Sequence, residues 1–338
     1  MKEVFLHIGM HKTGTSTIQK SLHGYNKNGI KTIGFDEANH QIPLFTIFSK
    51  NGLNYRRWKV RGFTQNRIIK IKENYIKILE KEATDNTIKK LIISGEDLGL
   101  LKTREQIELC KFFKNNDFIV KIIYIIREPH SWIRSSIQQN AKHGAKAPGK
   151  KSLRYKERVD GFLLECGPEN VMIYKYEDLR QKGLIQCFSE FVGADLKEVR
   201  SVNKSISHEA LSLIYLFNNH IKTINNMKNQ NAKNKMFKAL KGFFSIKNGF
   251  SKIDFDASYY MSSDDTENGL KWLEDNFGLT YDTNQNSRGG NKYIDVFPSQ
   301  KELIEFFEKN SLIYDTRLNL EENIQNMYAF FLNKVSIK

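Results

Sequence analysis

Four short apolar runs mark the first two hundred residues: Val4 to Ile8, Leu91 to Ser94, Phe118 to Ile126 and Val171 to Tyr174. Each is the length of a buried strand, and the run from Phe118 is the strongest, with Lys121 its only charged member. Between them the pattern changes to helical spacing. Residues 65–83 place Ile68, Ile71, Tyr75, Ile78 and Leu79 on one face, and helices are predicted over 15–22, 103–114, 131–142, 153–166 and 179–192. Gly144 to Gly149, with Pro148, reads as a loop. Strands alternating with helical crossovers predict an α/β fold, a P-loop-like parallel sheet flanked by helices, in which ligands sit at the carboxyl ends of the strands. Beyond His208 the pattern is helical over 209–227, 265–277, 300–309 and 321–334. The expected organisation is therefore an α/β core over 1–205 and a mainly helical C-terminal region over 206–338, joined near Asn203 to Ser207, the second either a separate subdomain or packed as part of the same domain.

Composition adjusts this picture in two ways. The chain has 338 residues, 40% hydrophobic and 12% aromatic, enough for a sizeable core. No run approaches the ~18 apolar residues of a membrane helix, and Val4 to Ile8 is too short for a signal peptide. Cys110, Cys166 and Cys187 show neither pairing nor metal-ligand spacing, which predicts reduced thiols, a cytoplasmic address and no bound metal. The net charge is +15, and it is unevenly spread. Between Ala38 and Lys72 there are eight Lys or Arg and no acid, and 129–156 and 210–253 are also free of acids. Such a field favours anionic partners: a nucleotide, an acidic glycan or lipid, or nucleic acid. The cations over 210–253 stand among asparagines and read as a solvated helical surface, whereas Trp58 lies among Arg56, Arg57, Lys59 and Arg61. Trp58 is either a stacking platform or a core anchor.

The first strand runs directly into Gly9-Met10-His11-Lys12-Thr13-Gly14-Thr15-Ser16-Thr17. Gly9 and Gly14 allow a tight turn in which successive N–H groups and a helix N-terminus converge on an anion. The hydroxyls of Thr13, Thr15, Ser16 and Thr17 add donors. In the nucleotide-triphosphatase pattern a lysine follows the second glycine, but here that position is Thr15 and the lysine is Lys12, inside the loop. A second motif lies at the end of the strand from Phe118: Arg127-Glu128-Pro129, with Ser135 eight residues after the arginine, two turns into a helix and within reach of the same phosphate.

These two motifs together resemble the nucleotide site of sulfotransferases that use 3'-phosphoadenosine 5'-phosphosulfate (PAPS), particularly the bacterial, carbohydrate-type enzymes. The resemblance covers roughly Val4 to Asn140. It implies that Lys12, Thr13, Gly14, Thr15, Ser16 and Thr17 hold the 5'-phosphosulfate, that Arg127 and Ser135 hold the 3'-phosphate, and that adenosine 3',5'-bisphosphate (PAP) is the product. In that family the strand before the arginine strand ends in a catalytic Glu or His about thirty residues upstream. Here Glu96 stands 31 residues before Arg127, with Asp97 as the neighbouring alternative. Helix capping by either acid, or a magnesium-binding role, are the competing readings of this pair. The resemblance also suggests an N-x-S element at Asn203 to Ser205 and a late basic loop in which Arg288 closes over the 3'-phosphate, although the lysine of that loop is missing and a surface turn is the plain alternative. His7 and His11 flank the first loop, and His11 adjoins Lys12.

The implied activity is transfer of a sulfuryl group to an acceptor hydroxyl, with a glycan or glycolipid precursor as the acceptor and peripheral membrane contact compatible with a lipid-linked one. The competing classes are a P-loop kinase acting on a small molecule and a non-catalytic binder of polyanions or nucleic acid, the latter less favoured. Oligomeric state is not legible.

Overall fold

A computed structural model of the chain describes residues 1–199, 206–220, 227–281 and 296–336. Asn203 to Ser205 and Arg288, singled out above, lie outside the described residues. The chain divides into two compact units, one formed by 1–132, 152–202 and 264–281, the other by 133–151, 203–263 and 282–338. The division therefore follows no single cut near residue 205: a middle segment groups with the C-terminal region and a late one with the sheet.

In the first unit the chain runs β1 (Lys2–His7), α1 (Thr15–Leu22), β2 (Asn26–Lys27), β3 (Ile30–Thr32), α2 (Gln41–Phe48), α3 (Arg56–Arg61), α4 (Gln65–Thr84), β4 (Lys90–Ser94), α5 (Thr103–Lys114) and β5 (Phe118–Ile126). There follow α6 (Pro129–Lys142), whose residues from Ile133 belong to the second unit, then α7 (Asp160–Cys166), β6 (Val171–Lys175), α8 (Tyr176–Lys182) and α9 (Leu184–Val192). The sheet order is β2-β3-β4-β1-β5-β6, parallel throughout except for the β2–β3 hairpin. The predicted class is what forms: a parallel sheet with helices on its faces.

The apolar runs become the central strands because both faces are covered. Phe5, Ile92, Ile123 and Ile125 pack with Ile18 and Leu22 of α1 and Phe188 and Val192 of α9, while Leu6, Ile122, Tyr124 and Ile126 are also fully buried. Register then decides where the chemistry falls. His7 lies level with Ser94 of β4 and Ile123 of β5, so the three chain segments that follow these strands leave the sheet at the same edge.

Several predicted helices form with different limits. The helix expected over 153–166 is α7 alone. Arg154 sits at φ 52°, the Arg158 Nε donates to the Leu153 carbonyl at 3.1 Å, and Leu153 and Tyr155 are fully buried, so this stretch is held as an irregular plug. The helix expected over 179–192 is α8 and α9, broken at Gly183, whose φ of 97° no helix accommodates. The three cysteines, widely separated in sequence, are free thiols, yet α5 and α7 bring the sulfurs of Cys110 and Cys166 to 3.3 Å.

The remaining helices are α10 (His208–His220), α11 (Met227–Phe243), α12 (Ser263–Phe277), α13 (Gln300–Lys309) and α14 (Leu320–Ser336). From Asp264 onward α12 belongs to the sheet unit. In the second unit, Phe217 of α10 meets Phe237 of α11 and Tyr328 of α14 edge-on at 5.5 and 5.2 Å. The basic, asparagine-rich α11 is not simply a solvated surface: Ala232, Met236, Phe237 and Leu240 form its buried stripe. Within the same unit Asn218 donates to the Ala141 carbonyl at 2.7 Å and the Tyr215 hydroxyl donates to that of Ile137 at 3.2 Å, which pins the later turns of α6. Among the described residues, no helix is long and apolar enough to cross a membrane.

Candidate active site

The loop after β1 is shaped by two left-handed residues, Lys12 at φ 70° and Gly14 at φ 75°. A side chain at Gly14 would also collide with Leu184, whose Cδ2 would stand 2.3 Å from an added Cβ, so glycine is required twice over. A lysine at positive φ is uncommon and held here by its neighbours. The Thr13 hydroxyl donates to the Met10 carbonyl at 2.6 Å, and the Arg127 Nη1 donates to the Lys12 carbonyl at 2.7 Å. Helix α1 starts at Thr15 with no side-chain cap, and its first internal bonds are those from Thr17 and Ile18 to the Gly14 carbonyl. The N–H groups of residues 12 to 16 find no acceptor among the described residues. Consecutive unbonded N–H groups at a helix N-terminus form a nest for an anion.

The loop hydroxyls divide. Thr13 and Thr15 are buried, with Oγ1 atoms 3.2 Å apart beneath the loop, and the Thr13 hydroxyl serves the loop itself. Ser16 is exposed and Thr17 half-buried. Lys12 is partly buried; burial lowers its pKa, the Arg127 charge lowers it further, and the Glu96 carboxylate opposes both. The ammonium therefore lies within the electrostatic reach of Arg127 and Glu96, the residues singled out at the ends of the two adjoining strands.

Glu96 owes its position to Ser94, the last residue of β4. His7 Nδ1 is 2.8 Å from the Ser94 hydroxyl, His40 Nδ1 accepts from its N–H at 3.0 Å, and the Gln19 amide donates to its carbonyl at 3.3 Å. Burial holds both imidazoles down at about 3, so each is neutral at ordinary pH. The chain then turns through Gly95, where a Cβ would press on the Gln41 backbone at 2.9 Å, and delivers Glu96 and Asp97 side by side.

The two acids have different surroundings. Asp97 is fully buried; it accepts from the Tyr55 hydroxyl and, at 3.2 Å, from the Arg56 guanidinium. Glu96 keeps 17% of its side chain exposed, and its Oε2 stands 2.7 Å from His11 Nδ1. His11 Nε2 in turn lies 3.3 Å from Asp97 Oδ1, so this imidazole bridges the pair. Glu96 is thus the solvent-accessible acid of the pair, and Asp97 is a buried anchor. His11 and Tyr55 were invisible as partners in the sequence, because 85 and 42 residues separate them from these acids.

Arg127 directly follows β5 and is largely engaged by the protein. Its Nε and Nη2 donate to the Ser131 hydroxyl at 3.0 and 2.7 Å, its third bond goes to Lys12, and Glu177 Oε1 lies 3.9 Å from Nε. Burial lowers its pKa, with the nearby Tyr176, Glu177 and Glu128 opposing, and a guanidinium stays protonated regardless. Glu128 caps α6 by accepting from the N–H groups of His130 and Ser131 at 2.9 and 2.6 Å. Burial raises the Glu177 carboxyl, and its Oε2 is a buried oxygen without a hydrogen-bond partner among the described residues, as is the Tyr281 hydroxyl nearby. Ser131 was overlooked; its signal was the four-residue spacing from Arg127 across a helix start. Ser135 is half-buried on α6 and belongs to the second unit.

No family model matches the chain, and no curated protein matches it. Solved structures do resemble it. A sulfotransferase from Alicyclobacillus acidocaldarius shares 13% identity with a TM-score of 0.38, over 64% of this chain and 93% of that one. The sulfotransferase domain of the curacin biosynthetic pathway shares 15% at 0.34, over 58% and 75%. Retinol dehydratase, solved with androsterone and inactive cofactor PAP, shares 16% at 0.27, over 83% and 82%.

Proposed function

We propose that this protein transfers a sulfuryl group from PAPS to an acceptor hydroxyl, releasing PAP, and that the acceptor is a glycan or glycolipid precursor met in the cytoplasm. The observation that carries the proposal is the nest of N–H groups over residues 12 to 16, unbonded among the described residues, with the lysine inside it and its ammonium within electrostatic reach of Glu96. An oxyanion-rich group fits this nest through backbone donors, which need no side chain to desolvate. PAPS, when bound, supplies the activated sulfuryl group.

The chain's residues then divide the work. The N–H groups of residues 12 to 16, with the exposed Ser16 hydroxyl, orient the 5'-end of the donor. Lys12 neutralises charge developing on the bridging oxygen; held at positive φ and anchored through its carbonyl by Arg127, its backbone is fixed before any substrate arrives. Glu96 receives the acceptor proton, with His11 fixing the carboxylate's orientation through the 2.7 Å contact. Arg127 is assigned to the 3'-phosphate. The guanidinium bonds described above leave it further N–H donors for this purpose.

The test is transfer from sulfur-labelled PAPS to a panel of oligosaccharides, following label in the acceptor and release of PAP. Labelled acceptor and stoichiometric PAP are expected. Phosphoryl transfer from ATP in place of sulfuryl transfer would overturn the proposal.

A further inference from the structure

The acid-free stretch between Ala38 and Lys72 delivers cations to the carboxyl edge of the sheet, and most of those whose partners are described serve the protein itself. Arg61 forms a two-pronged pair with Glu37 at 2.7 and 2.9 Å, and the Arg67 guanidinium lies over the Phe63 ring at 3.8 Å. Trp58 resolves into a core anchor, 1% exposed, with its indole N–H on the Thr46 hydroxyl at 3.0 Å. Its neighbours Arg56 and Arg57 behave differently. Arg56 reaches Asp97 with one Nη2 contact while 62% of its side chain stays exposed, so most of its fork faces solvent beside the candidate base. Arg57 is half-buried; its hydrogen bond and charge lower the Tyr55 hydroxyl's pKa against the larger raising effects of burial and Asp97, and its buried Nε has no partner among the described residues.

A buried guanidinium N–H without an acceptor is a donor awaiting one. Asp97 Oδ2 is held by Arg56 and by the Tyr55 hydroxyl, Asp97 Oδ1 lies 3.3 Å from His11 Nε2, and Glu96 is paired with His11, so among the described residues no carboxylate of this cluster is bonded to Arg57. We propose that Arg57, together with the exposed face of Arg56, forms an anion-recognition subsite for the acceptor, and that the acceptor carries a carboxylate, phosphate or sulfate group close to the hydroxyl that Glu96 deprotonates. The inference rests on the sulfotransferase reading for the identity of the reacting hydroxyl. The subsite itself rests on the two arginines. Arg56 supplies long-range attraction from the surface, and Arg57 supplies the desolvated, directional contact that discriminates.

The experiment is calorimetric titration of the full-length protein, saturated with PAP, with three tetrasaccharides of equal length: one neutral, one of uronic acids, one bearing phosphate monoesters. The charged probes are expected to bind about tenfold or more tightly than the neutral one, the advantage shrinking as salt rises, and the better of the two identifies the anion. Arg57→Ala should remove most of that advantage, and Arg57→Lys should restore only part of it because a point charge lacks the fork. Arg56→Lys, which keeps the pair with Asp97, should weaken the charged probes by a few-fold. PAP affinity and melting temperature should hold in all three variants. Equal affinity for neutral and charged probes, or a charge preference that survives Arg57→Ala in a folded protein, overturns the subsite. Charge-selective binding that depends on Arg57 in a protein that does not bind PAP upholds the subsite and overturns the donor assignment instead.

Discussion

The loop after β1 and the turn after β5 both offer positive charge at the same sheet edge, yet they are built in opposite ways. Around residues 12 to 16 the donors are main-chain N–H groups with no acceptor among the described residues, and the one cation is lowered in pKa by burial and a neighbouring charge. At Arg127 the guanidinium already holds Ser131 and the Lys12 carbonyl. The first region is a receptor; the second is partly a brace for it. A cation at the end of a strand can thus serve a ligand directly or through the loop it steadies, and substitution at the two regions should separate these roles.

The largest effect is expected at Lys12. Lys12→Ala should lower kcat by about 10³-fold while PAP, which lacks the sulfuryl group, still binds, a split that steady-state kinetics and calorimetry together resolve. Glu96→Gln is expected to lower kcat by about 10²-fold or more with nucleotide affinity retained. Near-normal turnover in Glu96→Gln would exclude it as the base. The corresponding change at Asp97, which breaks a buried pair with Tyr55 and Arg56, should instead appear as lost stability.

Substitutions at the brace should have mixed consequences. Arg127→Ala is expected to weaken PAP binding about tenfold or more and to lower the melting temperature, because the Lys12 carbonyl loses its donor. Ser131→Ala should reproduce a weaker version of both. If Arg127→Ala left stability unchanged, the bracing role would fall.

A separate effect concerns acid. His7 and His40 titrate near 3 when folded and near 6.5 when unfolded. Between those values the unfolded chain holds more protons, so their contribution to stability is fully present above about 6.5 and is lost as pH falls toward 3. The urea midpoint should therefore drop steadily across that window, and His40→Gln should flatten the decline.

Much of the receptor was legible because it is local. A strand, two glycines, a lysine and a helix start occupy neighbouring positions, and each follows from backbone geometry at Gly14 or from the apolar run before it. The end of β5 was legible for the same reason. What escaped depends on distant parts of the chain: His11 on Glu96, Tyr55 on Asp97, and Cys110 beside Cys166. The misjudged helices have a similar cause. Residues 153 to 159 carry helical spacing, but burial of Leu153 and Tyr155 with Arg154 at positive φ outweighs local preference. In α11 the buried stripe of Ala232, Met236, Phe237 and Leu240 was hidden by the lysines and asparagines around it.

The central claim is that the cradle and the Arg127 turn together hold a 3'-phosphorylated adenosine nucleotide. Calorimetry comparing PAP with ATP, ADP and 5'-AMP tests it most directly. Micromolar or tighter PAP binding, lost with the 3'-phosphate and weakened by Arg127→Ala, is the result this account predicts. Preference for ATP with magnesium, indifferent to Arg127, would contradict it.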